Sequence, residues 1–548
     1  MAQDLKAIHP YLPKLATQLQ EGQVSRREFL RTSTLLGLSA ASAYALAGLP
    51  MSEYLVPPAR AAEGGVIKFS MRVPALENPA TFSWVYDSNS VRQVCDYLTR
   101  TDADNITHPL LLEKWQPSED LKTWDLHLKK DIKWSNGEKF VADHAIWNIK
   151  RWLDPAVGSS VLGLMKGYMM TDDGKALWDA NAVQKVDDYT VRLNCRTAQL
   201  AVPEHLFHYP ALILYPPENG KFTKDSVGTG AFTMVEYEVG KKTVFKRRDG
   251  YWGHRATLDG LEFIDHGDDP AAGLQALASK QVHGMYEAST TQYAALQQMA
   301  HVNILKVNTA QTGVVRMQPQ HKPWDDARVR KAMRLAIDQE KVLQIAHLGL
   351  GAPAEHHHVA QVHPEYAKLT FMKQDIPAAK KLLAEAGYPN GFDAEITCKP
   401  DPAWEQIAVQ AMVNMWKEAG ARIKINVLPS AQYWDVWAAP TNPLAFTPWT
   451  HRPLGVMVLG LAYRTGVPWN ESFWSDKKFD ELLTKAEGIP DPNERRKVMA
   501  ELEKIMQEDG PIVQPLWRAV FTGVDKRVEG FRMHPTLYYF SEEWSIKT

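Results

Sequence analysis

The chain has 548 residues, with 62 Lys and Arg against 64 Asp and Glu, a formal charge of −2, and 45% hydrophobic and 23% charged residues. This balance excludes a disordered chain, a polytopic membrane protein and a strongly basic nucleic-acid binder. The length exceeds what one hydrophobic core usually reaches, roughly 250–300 residues, and predicts more than one domain.

The N-terminus reads as an address. Ser25-Arg26-Arg27-Glu28-Phe29-Leu30-Arg31 has the form of a twin-arginine motif. Thr32 to Leu49 follows without a charge, and Ala59-Arg60-Ala61 fits the small-x-small cleavage rule. Residues 1–61 are therefore expected to be a signal peptide cut after Ala61. A membrane anchor is the other reading, but the stretch is short and only moderately apolar for one. Twin-arginine export carries folded cargo, so a periplasmic location is expected. No Cys stands at the cut, which argues against a lipid anchor.

Beyond the leader the pattern is mixed α/β. Trp124, Leu126 and Leu128 alternate with polar residues, and so do Tyr189, Val191, Leu193 and Cys195; both predict half-buried strands. Asn136-Gly137 marks a tight turn between them. Asp143 is expected to cap a helix with Ile146, Ile149 and Leu153 on its apolar side. Asp325 or Asp326 is expected to cap another, with Val329, Ala332, Met333, Ala336 and Ile337 on one face and a basic, solvated face opposite. A helix from about Pro377 to Ala386 is followed by alternation at Phe392, Ala394, Ile396 and Cys398. Next come a helix starting at Asp401-Pro402 and the strand Ile423, Ile425, Val427. This order is a βαβ unit and predicts a parallel pair. A last helix starts at Asp491-Pro492 and stops at Gly510-Pro511.

The search for chemistry is mostly negative. Cys95, Cys195 and Cys398 form no C-x-x-C pair, allow at most one disulfide, and read as buried free thiols. There is no H-E-x-x-H, Walker P-loop or G-x-S-x-G motif, and Gly228-Thr229-Gly230 is too short for a nucleotide fingerprint. His356-His357-His358, with His363 nearby, is either a polar loop or a transition-metal site, since a loop would let two of them face one ion. No cofactor, no catalytic residue and no resident metal are expected.

Several blocks carry a resemblance. They are Pro109 to Trp115, Leu126 to Gly137, Val227 to Phe232 with Arg248 to Gly253, Pro323 to Ala332 with Ala336-Ile337-Asp338, and Leu382 to Tyr388. Together they resemble family 5 of the extracellular solute-binding proteins of ABC importers, which holds dipeptide-, oligopeptide- and nickel-binding receptors. The likeness spans about residues 65 to 545 in order.

The resemblance implies a type II periplasmic binding protein-like α/β fold with two hinged lobes and an extra subdomain. The first lobe is expected at 62–100, 212–312 and 513–548, the subdomain at 101–211 and the second lobe at 313–512. Crossing segments are expected near Thr309–Pro319 and Pro511–Trp517. The implied function is a monomeric receptor, not an enzyme, that captures a peptide-like or modified small solute and delivers it to membrane permease subunits, with no nucleic acid involved. A secreted twin-arginine enzyme or a metal-chelate (nickel) receptor stands as the alternative.

In the peptide-binding relatives an Asp shortly after a Trp pairs with the peptide's amino group. The matching stretch here is Pro448-Trp449-Thr450-His451-Arg452-Pro453, with Arg452, or His451 on a one-residue slip, in place of the Asp. No acidic residue occurs from Ala445 to Arg464. A cation there would repel an ammonium and attract a carboxylate or phosphate. Arg452 either meets such a group or pairs with a protein carboxylate or solvent. Phe82, Ser83 and Trp84 match a cleft-lining loop of the relatives, and Tyr463, Arg464 and Trp469 follow the altered motif as further candidates.

Overall fold

The computed structural model describes residues 2–50, 63–267 and 269–547. The expected cleavage site, Ala59-Arg60-Ala61, lies outside the described residues.

A twelve-stranded mixed sheet runs through the molecule. Its order is Ala421–Val427, Phe392–Cys398, Leu444–Trp449, Val302–Met317, Leu516–Asp525, Gly284–Met285, Val66–Ser70, Gly260–Ile264, Lys242–Arg247 and Phe232–Glu238, with two short strands off this path. The strand Val302–Met317 joins its halves. Its first part pairs antiparallel with Leu516–Asp525, and its last six residues, Thr312 to Met317, pair with Leu444–Trp449. A bulge between Asn308 and Gln311 interrupts the first pairing, which resumes at Gln311 and Thr312 before the second takes over. A separate antiparallel sheet holds Leu112–Pro117, Thr123–Leu128, Thr190–Asn194 and Val183–Asp187.

The expected βαβ unit forms. Phe392–Cys398 and Ala421–Val427 pair in parallel over seven residues, with the helix Ala403–Ala419 as their connection. That helix buries Val409, Met412 and Trp416, and burying a side chain such as Val or Met contributes roughly 1.5–3 kcal/mol against exposure. They pack with Val329 and Met333 of the helix Ala327–Leu335 and with Val315, Met317 and Ile396 of the sheet into a core of their own. Asp326 caps Ala327–Leu335, its carboxylate accepting the Arg328 N–H at 2.8 Å.

One expectation needs correction. Asp143 does not cap its helix: Ala142–Trp152 starts behind Val141, two residues ahead of the expected cap, so Asp143 sits in the first turn, where its charge still complements the helix dipole. His356, His357 and His358 lie in a loop, and that loop is buried, because the segment is wedged beside Gln514 and the helix Pro492–Glu508. Residues 2–50 form helices, among them Leu12–Gln20, Arg26–Leu35 and Ala40–Leu46, that share the core of the body. No helix among the described residues is long and apolar enough to cross a membrane. All three cysteines are buried and free, and burial pushes the Cys398 thiol up to about 11, so it stays protonated.

Candidate functional site

The carboxyl end of the strand Leu444–Trp449 opens on a cavity of about 310 Å³. Such strand ends are where α/β sheets place their ligands, because the loops leaving them diverge around a crevice. Thr447, Pro448 and Trp449 form the floor, and Thr450 and Arg452 follow in the loop. Trp434 and Trp437 come from the helix Ser430–Val436 and its end, and Trp469 from a later loop. The opposite wall is Ser83, Trp84 and Tyr209.

Two chain regions meet at this wall. Trp84, just before the helix Val85–Val91, packs edge-on against Trp434 with ring centroids 5.0 Å apart, and stacks on Tyr86 at 5.9 Å. Lys399 Nζ lies 6.0 Å from the Trp84 ring and 5.9 Å from the Trp434 ring, within cation–π range. Glu405 holds that ammonium at 2.6 Å in a pair that is almost fully buried. Tyr209 donates its hydroxyl to the Ser83 carbonyl at 3.0 Å, holding the two segments of this wall together.

Arg452 is the one charged side chain in the lining. It is 3% exposed, and no carboxylate among the described residues forms an ion pair with it. Its Nη1 donates to the His451 carbonyl at 2.9 Å and to the Thr450 hydroxyl, its Nε is buried without a partner, and the guanidinium carbon sits 5.4 Å from the Tyr209 ring centroid. A buried cation satisfied only by neutral oxygens is short of a counter-charge. Arg452 thus neither faces solvent nor pairs with a carboxylate among the described residues.

The wall behind is built to hold still. Trp449 Nε1 donates to Glu471 Oε1 at 3.1 Å, and the Thr447 hydroxyl donates to Glu471 Oε2 at 2.6 Å. Burial raises the Glu471 carboxyl, and the Arg316 guanidinium opposes that shift. Trp469 meets Trp449 edge-on at 5.9 Å. His363 Nδ1 accepts the Ala360 N–H, so its Nε2 carries the proton and donates to the Arg452 carbonyl at 3.0 Å.

The structure gathers Ser83, Trp84, Trp449, Arg452 and Trp469 of the expected residues and leaves out the other four. Phe82 is buried outside the lining. His451 accepts the Ala310 N–H at 2.9 Å and donates to Asn105 at 2.9 Å, pinning the loop to the bulged strand. Tyr463 bonds His358 at 2.6 Å, and Arg464 pairs with Glu487 at 2.7 Å in the interior. Tyr209, Trp434 and Trp437 are not among the expected residues: Tyr209 is remote in sequence, and Trp434 and Trp437 stand on the helix Ser430–Val436 and its end, just ahead of the strand. The histidine run is engaged by protein groups: His356 accepts the Gln514 N–H, and burial holds His356 and His358 well below the usual range. Among the described residues no group of three or more His, Cys, Asp or Glu is placed to hold a metal ion.

Residues 107–463 match the family described as bacterial extracellular solute-binding proteins, family 5. The chain is 24% identical over 504 residues to the dipeptide-binding protein of Escherichia coli K12, covering 86% of this chain and 92% of that protein. Two solved structures share the fold at a TM-score of 0.78. One is the periplasmic binding protein AgaA from A. tumefaciens R10 in complex with agropinic acid, 20% identical over 88% of this chain and 99% of the other. The other is the Haemophilus influenzae OppA in complex with RPPGFSPFR, 22% identical over 89% and 100%. The fold is that of the type II periplasmic binding proteins.

Proposed function

The chain belongs to the bacterial extracellular solute-binding proteins of family 5, and from that premise we propose that it captures a small anionic organic solute, peptide-like or modified, and hands it to the permease subunits of an ABC importer. The reading divides the chain into a first lobe at 62–100, 212–312 and 513–548, a subdomain at 101–211 and a second lobe at 313–512. Residues 1–61 serve as a twin-arginine leader cut after Ala61, and the mature receptor works in the periplasm as a monomer.

The observation that carries the choice of solute is the buried, carboxylate-free Arg452 in an aromatic cavity. A ligand carboxylate would meet the guanidinium fork, while its apolar body would lie against Trp449, Trp469 and Trp84. Binding needs no covalent chemistry. The closed form gains contacts from both walls, and the solute shifts the open–closed balance only by the free energy of those added contacts. The agropinic acid bound by one neighbour is in keeping with an acidic ligand.

Titration calorimetry on Arg452→Gln tests this reading. Loss of the charge-assisted contact is expected to weaken binding of an anionic solute by ~2–3 kcal/mol, about 100-fold. Affinity equal to that of the unchanged protein would remove Arg452 from the site.

A further inference from the structure

The leader helices lie in a groove that both major parts of the body build. On one side, Trp115 Nε1 donates to the Leu35 carbonyl at 2.9 Å, and Arg31 donates to the Asp104 carbonyl at 3.1 and 3.3 Å. On the other, Arg31 Nη1 donates to the Val362 carbonyl at 2.8 Å, Lys14 pairs with Asp491 at 2.8 Å, Asn493 donates to the Gln23 carbonyl at 3.3 Å, and Arg496 pairs with Glu28. Asp491 serves two ends at once: Oδ1 caps the helix Pro492–Glu508, and Oδ2 takes Lys14 and Gln18.

The same packing sorts the twin-arginine motif by side. Phe29, Leu30 and Arg31 are buried, whereas Arg26 and Arg27 face solvent from the first turn of a helix that Ser25 and Glu28 close with a capping box. Helices of 9 and 10 residues, such as Leu12–Gln20 and Arg26–Leu35, are marginal by themselves in water. Their form here depends on the surface beneath them.

We propose that the groove formed by Asp104, Trp115, Val362, Asp491, Asn493 and Arg496 is a docking site for the chain's own leader, residues 12–46, so that the precursor shelters its apolar stretch and displays Arg26 and Arg27 on a helix only once the body has folded. The purpose, not the docking, rests on the reading of residues 1–61 as an export leader. The occupant is fixed by complementarity: one buried cation meets backbone carbonyls from two sides, and Glu28 and Lys14 meet opposite charges at the rim.

Hydrogen exchange on the full chain tests the docking. Amides of 26–35 are expected to exchange about 100-fold more slowly than in unstructured chain. Arg496→Glu is expected to speed exchange in 12–46 about 10-fold while amides of the strand Val302–Met317 keep their rates, and adding Glu28→Arg is expected to restore part of the protection, since it remakes the pair but removes the capping box. Unprotected leader amides, or a leader indifferent to Arg496→Glu, would overturn the proposal. A variant carrying both Arg26→Lys and Arg27→Lys should keep the exchange pattern, because both side chains are exposed and the one pair they make among the described residues, Arg27 with Asp104 at 3.4 Å, is an exposed one that Lys can keep. If that variant is still exported normally, the leader reading fails while the docking stands.

Discussion

Single side chains decide the electrostatics of the interior. Arg452 is one case, and Glu503 is another. Burial, with the charges of Glu355 and Glu365, pushes the Glu503 carboxyl up to about 9, despite the Ala367 N–H it accepts at 3.1 Å. His357 Nε2 lies 3.6 Å from both Glu503 and Glu355, and Glu503 Oε2 has no hydrogen-bond partner. A raised folded-state pKa means that the fold holds a proton which the unfolded chain releases, so this contribution to stability is full at low pH and fades as pH rises toward the folded value. Thermal melting is therefore expected to fall between about pH 5 and about pH 9, and Glu503→Gln, which keeps the neutral shape, is expected to flatten part of that fall. Equal slopes for the two proteins would contradict this. At the same scale the site was half legible. Trp449 and Arg452 stood out because a cation replaced an expected acid, and Ser83 and Trp84 because their loop matched. Tyr463 and Arg464 misled, because the helix Gly455–Ala462 before them is buried on every face, so its end delivers them into the interior and away from the cavity.

Elements were legible wherever the hydrophobic period was strong. The alternation at 392–398 and the 3.6-residue spacing at 409–416 gave the βαβ unit, and parallel pairing followed from the order alone. Gly228-Thr229-Gly230 shows a motif whose meaning needed the neighbouring element. A Cβ on Gly228 would stand 1.9 Å from the Val94 carbonyl oxygen, and Gly230 donates its N–H to that same oxygen at 2.8 Å. Arg248 then donates to both glycine carbonyls, at 3.0 and 3.2 Å. The glycines are there for close backbone approach, not for a phosphate. Gly228→Ala is expected to cost ~2–3 kcal/mol in urea unfolding, and an unchanged midpoint would contradict the contact. The N-terminal helices show the converse: their packing arises from contacts far away in sequence, such as Lys14 with Asp491 and Trp115 with Leu35, which no local pattern carries.

At the scale of the whole molecule, one long strand, Val302–Met317, belongs to both halves of a continuous sheet, and the cavity lies where walls from separate stretches of chain meet. Trp84 against Trp434 brings those walls into contact, and Arg452 sits inside with no carboxylate among the described residues paired to it. A molecule so built suits the proposed receptor, which would enclose a complementary anion between its walls. Mass spectrometry of the solute retained after gentle purification from the producing cell tests this most directly. The account predicts one small acidic compound per chain, recovered chemically unchanged and lost from Arg452→Gln. A retained cation, or a compound altered by the protein, would contradict it.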